Sequence, residues 1–106
     1  MEKSFGQGNI EITKYAVDVF RPEDDLLREI KIRSQKVGLP QIQVGPMDGL
    51  HLEILAKALG AKKTVESGTL GGYSGVCLLR GMGPQGKLFT FEISEVNAAV
   101  ARESFS

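Results

Sequence analysis

Several things are scarce in this sequence, and each scarcity excludes a class of protein. One cysteine, Cys77, among 106 residues excludes an internal disulfide framework and agrees with a reducing compartment. Net charge is also missing: thirteen basic residues balance thirteen acidic ones, so there is no electrostatic footprint of a nucleic-acid or membrane-surface binder. No apolar run approaches the roughly 18 residues of a membrane span. The start, MEKSFGQGNI, has neither the basic region nor the apolar core of a secretory signal. Internal repeats and low-complexity tracts are absent. The expectation is a cytoplasmic protein of one domain at most, with small molecules or other proteins as partners, and no nucleic acid or membrane.

What is present is an ordinary globular composition, 42% hydrophobic and 25% charged. Residues 1–12 are aperiodic and read as a loose leader. TKYAVDVF reads as a short helix. RPEDDLLREIKIRSQKVG reads as a stronger one, with Pro22 in the first turn, Glu23, Asp24 and Asp25 at the positive dipole end, and Gly38 as the stop. After an extended GLPQIQVG, the stretch PMDGLHLEILAKALG predicts a helix from Pro46 to Gly60 with Leu52, Leu55 and Leu59 as its buried stripe. A strand is predicted at residues 62–67, then a glycine bend, then a helix YSGVCLLRGM closed by Gly81. KLFTFEI predicts a second strand, and SEVNAAVARESF a helix capped by Ser94. Strand, glycine turn, helix, turn, strand is a βαβ unit, whose strands should be parallel.

The bend itself, VESGTLGGYSG, bears on function. A phosphate loop would end Gly-Lys-Ser/Thr, but Gly72-Tyr73-Ser74 stands there. A dinucleotide fingerprint puts its second glycine where Leu70 lies. A third reading needs no pyrophosphate. Glu66 ends the first strand and Glu92 the second, about twenty residues beyond the bend, where a carboxylate can accept both hydroxyls of a ribose. A ligand with a ribose and a positive end, such as S-adenosylmethionine, meets that description.

AKKTVESGTLGGYSG together with GKLFTFEISE resembles class I S-adenosylmethionine-dependent O-methyltransferases of the caffeoyl-CoA and catechol type, in Glu66, Gly68, Thr69, Gly72, Tyr73 and Ser74 above all. The upstream helices resemble that family's N-terminal ones, so the resemblance runs from about Tyr15 onward. It implies an α/β, Rossmann-like fold, of which residues 13–106 would be the N-terminal part of a single, truncated methyltransferase domain: N-terminal helices plus the first βαβ unit. It implies methyl transfer from S-adenosylmethionine to a hydroxyl, typically of a phenol or catechol-like small molecule, with a divalent metal such as magnesium in the complete enzyme, and a homodimer as an option. The implied cofactor-binding residues are Val44, Glu66, Gly68, Gly72, Tyr73, Ser74 and Glu92. Glu66 would take the methionine amino group, Gly68 would give close passage, Ser74 the carboxylate and Glu92 the ribose. Ile42 would face the acceptor. Catalytic and metal-binding residues are expected beyond residue 106, so the chain alone is expected to be inactive.

Plainer readings stand beside these. A glycine bend can be tight packing alone, and Tyr73 a helix-start aromatic packed on the sheet. His51 reads as a packing or half-exposed residue, Cys77 as a small buried hydrophobe, and the acids of RPEDD as dipole partners rather than magnesium ligands. From other classes, a non-catalytic cofactor-binding or interaction fragment and, more weakly, a nicotinamide oxidoreductase remain alternatives.

Overall fold

The structure, a computed structural model, describes residues 9–106. Five helices and two strands follow in the order α1 (Ile10–Phe20), α2 (Asp25–Val37), α3 (Pro46–Ala58), β1 (Lys63–Ser67), α4 (Tyr73–Met82), β2 (Lys87–Phe91) and α5 (Glu95–Phe105). The strands are parallel, pairing Lys63 with Lys87 through Ser67 with Phe91. Glu66 is thus opposite Thr90, the two facing the same side of the sheet. This is the βαβ unit expected from the sequence.

Caps move two helix starts. Asn9 accepts from the Glu11 amide at 2.7 Å, so α1 begins at Ile10, inside the stretch expected as a leader; residues 1–8 of that stretch lie outside the described residues. Asp24 accepts from the Leu27 amide at 3.0 Å, and α2 therefore begins at Asp25. A short acidic side chain is most useful just outside a helix, where it satisfies an amide that has no partner within the first turn. Pro22 precedes the helix instead of lying in its first turn, and Glu23 is left to turn inward.

The pairing of α3 with α4 corrects two further expectations. Leu55 and Leu59 are 45% and 79% exposed, while the buried residues of α3 are Gly49 and Ala56. The face used is the one with small side chains, because α4 comes very close. A methyl group on Gly49 would stand 2.9 Å from Cys77 Sγ, and one on Gly81 would collide with the Glu53 carbonyl. Gly81 therefore permits close approach and does not stop α4, which continues to Met82 and ends at Gly83. Leu52 packs, as expected, against the core of Leu27, Ile30, Tyr73, Val76 and Cys77. Burial pushes the Cys77 thiol up to about 11, which keeps it protonated and inert.

Two long-range polar links hold the start of α2 on α4. The Tyr73 hydroxyl donates to Glu23 at 2.6 Å, Lys31 pairs with the same carboxylate at 2.7 Å, and Arg80 pairs with Asp24 at 2.7 Å. On the other side, Ser104 of α5 donates to the Gly71 carbonyl at 2.6 Å, fixing α5 beneath the bend. No helix among the described residues is long and apolar enough to cross a membrane.

Candidate functional site

The bend between β1 and α4 has an open part and a packed part. At Gly68 the backbone is left-handed, φ +87°, and a side chain there would meet nothing within 4 Å. Only glycine adopts that conformation without strain, and the surface over it is free. At Gly71 a methyl would collide with Ser34 Oγ, and at Gly72, φ +95°, it would stand 3.1 Å from Ser104. These two glycines let α2 and α5 close on the bend from below.

Two carboxylates flank the open part. Glu92, directly after β2, accepts from the Leu70 amide at 2.8 Å with one oxygen and from the Ser94 amide at 3.1 Å with the other. Those backbone bonds, Leu70's first, hold its carboxyl below the usual carboxylate range, so it stays charged and fixed in direction. Each oxygen keeps a second lone pair for a ligand hydroxyl. Leu70 itself is left-handed at φ 51°, a costly conformation for a leucine, and its amide is directed to Glu92. Glu66, on β1, accepts from Thr90 Oγ1 at 2.8 Å and makes a very short bond with the Ser74 hydroxyl. Thr69 Oγ1 lies 2.5 Å from Thr90 Oγ1. Ser74 is in the first turn of α4, which starts without a side-chain cap, so its leading amides and the helix dipole face the same place.

The residues singled out from sequence thus separate into groups. Glu66, Gly68, Ser74 and Glu92 meet at the carboxyl ends of the two strands. Tyr73 does not join them: its ring is buried in the core and its hydroxyl, bound to Glu23, is driven upward in pKa by burial and by that carboxylate. Gly72 is buried against α5, its amide donating to the Thr69 carbonyl at 3.0 Å. Both shape the bend from beneath rather than line its open side. Val44 packs on the core and lines a separate cleft of about 500 Å³ between α1, the start of α2 and the connector before α3. Lys31 and Gln43 line both this cleft and a small depression behind Leu70 and Gly71. Ile42 is largely exposed on the connector, and His51 is exposed on α3. Sequence reasoning missed Thr90 and the amides of Leu70 and Ser94. Thr90 had a signal, being a polar residue in the alternating strand, two positions before Glu92, that shares a face with Leu88 and, across the register, with Glu66.

Comparison with known proteins agrees with this geometry. The sequence profile of the O-methyltransferase family matches residues 16–106. The chain belongs to that family. Over 80 residues it is 41% identical to a catechol O-methyltransferase of Mycobacterium tuberculosis, an alignment covering 76% of this chain and 36% of the relative. Over 93 residues it is 36% identical to a catechol O-methyltransferase of Niastella koreensis, covering 88% and 42%. The crystal structure of an O-methyltransferase from Bacillus cereus in complex with SAH superposes with a TM-score of 0.85 at 37% identity, covering 90% of this chain and 43% of that one. The chain therefore spans less than half the length of these relatives, and its elements are those of a Rossmann-like class I methyltransferase. Among the described residues no three of His, Cys, Asp and Glu are grouped to hold a metal ion.

Proposed function

We propose that this chain forms the donor side of an S-adenosylmethionine-dependent O-methyltransferase acting on the hydroxyl of a phenol or catechol-like small molecule, in the cytoplasm. The observation that carries the reading is the open, left-handed Gly68 between two carboxylates, one ending each parallel strand. When bound, S-adenosylmethionine supplies an electrophilic methyl group on a sulfonium, and transfer requires in-line approach of the acceptor oxygen. The chain's own contribution is to hold the donor. Glu92, charged and aimed by two amides, accepts the ribose hydroxyls. Glu66 faces the ammonium of the methionine end. The Ser74 hydroxyl and the uncapped start of α4 suit its carboxylate, which means that Ser74 leaves Glu66 when ligand arrives. The catechol acceptor is supported by the names of the two bacterial relatives.

The nicotinamide alternative is disfavoured at Leu70, where a side chain replaces the second glycine of the dinucleotide fingerprint and the amide is already bonded to Glu92. Calorimetric titration separates the two. S-adenosylhomocysteine is expected to bind and NAD to give no heat; binding of NAD with no response to S-adenosylhomocysteine overturns the assignment.

A further inference from the structure

We infer that Thr90 is a positioning residue that keeps the Glu66 carboxylate aimed at the ligand's ammonium group, with Thr69 behind it; this rests on the donor-site reading above. The directions of the bonds follow from counting protons. Thr90 donates its proton to the Glu66 carboxylate at 2.8 Å. A hydroxyl has a single proton, so Thr90 can only accept in its 2.5 Å contact with Thr69, and Thr69 donates. The chain therefore runs Thr69 to Thr90 to Glu66, each donor polarising the next toward the carboxylate. Thr69 is buried, and Thr90 is fixed opposite Glu66 by the strand register, so the end of the chain is rigid.

Of the two hydroxyls on Glu66, only one remains when ligand binds. Ser74 is the group suited to the ligand's carboxylate, and its departure frees one Glu66 oxygen. Thr90 lies opposite Glu66 on the neighbouring strand, and its single proton goes to that carboxylate. Without it, a side chain with three free torsions at a strand end would have to be ordered by the ligand itself.

The test uses two nucleosides that share the adenosine half: S-adenosylhomocysteine, which has the amino-acid end, and 5′-methylthioadenosine, which lacks it. Thr90→Val keeps the shape and removes the donor. It is expected to weaken S-adenosylhomocysteine about tenfold in a calorimetric titration and to leave 5′-methylthioadenosine within about twofold, with Thr90→Ser restoring the wild-type difference. Equal loss for both ligands, or no loss for either, overturns the role of Thr90 while leaving the donor site intact. Failure of the unmodified chain to bind either nucleoside overturns the donor-site reading and this inference with it. Should Thr90→Val not fold, Thr69→Val carries the same selectivity test with an expected loss of about threefold, and loss for both ligands alike again overturns the inference.

Discussion

The two faces of the small sheet differ in a way that inverts the ordinary rule. The face covered by α4 carries Thr64, Glu66, Leu88 and Thr90, mostly polar. The opposite face carries Val65, Phe89 and Phe91, flanked by Lys63, Lys87 and Ser67, and is exposed; Val65 is 73% and Phe91 63% exposed. In a half-buried antiparallel sheet the apolar set would be covered and the polar set wet. Here the covered polar groups bond one another and the bend, so that burial at the strand ends produces a fixed constellation of oxygens. Among the described residues only helix α4 contacts the strands, and parallel sheets are ordinarily covered on both faces. Chemistry is concentrated on one face and unmet packing on the other.

The comparison can be broken at its packed side with the largest effect. Gly75 is on α4 over the covered face, and a Cβ there would stand 2.7 Å from Phe105 and 2.9 Å from Leu88. Gly75→Leu is expected to destabilise the fold by about 3 kcal/mol in urea unfolding, with loss of ligand binding following from loss of structure. A change at the rim of the same face acts on binding alone. Glu92→Ala is expected to weaken S-adenosylhomocysteine by about 1.5 to 3 kcal/mol, whereas Glu95→Ala, in the first turn of α5, costs a few tenths; equal losses by titration contradict the placement.

Glu92 also sharpens the comparison through pH. Its folded-state pKa is depressed below the ordinary 4.5 by the Leu70 and Ser94 amides. The stability it contributes is therefore fully present above about pH 4.5 and is lost as pH falls through the lower folded value. Urea midpoints of the unmodified chain and Glu92→Gln should converge as pH falls through that window. On the bare face the expected effect on stability is smallest. Val65→Thr with Phe89→Thr should change the unfolding free energy by about 0.5 kcal/mol or less while reducing self-association in size-exclusion chromatography.

Much of the fold was legible because its signals are local. A short apolar-centred run before the glycine cluster marked β1, a run rich in aromatic and β-branched residues marked β2, Gly38 marked the end of α2, and Ser94 capped α5 through the Asn97 amide as expected. Errors arose where a residue serves two roles. Asp24 could be a dipole partner or a cap, and the cap decided the helix start. Gly81 could stop a helix or admit a neighbour, and only the approach of Glu53 separates the two. Leu55 and Leu59 have helical spacing, yet a close α3–α4 crossing turned the small residues inward instead.

The sequence by itself determined the βαβ order, the bend after β1, the acidic residue ending each strand and the family to which the chain belongs, because these depend on residue types within a few positions of one another. The tertiary structure alone decided which members of the glycine motif face open space and which face packing, that Tyr73 turns away to Glu23, and that Thr90 bonds Glu66. The physical reason is distance along the chain. Thr90 meets Glu66 only once two strands 24 residues apart settle into one register, and Glu23 meets Tyr73 across 50 residues. Such pairings are fixed by packing of the whole unit, which no local pattern encodes.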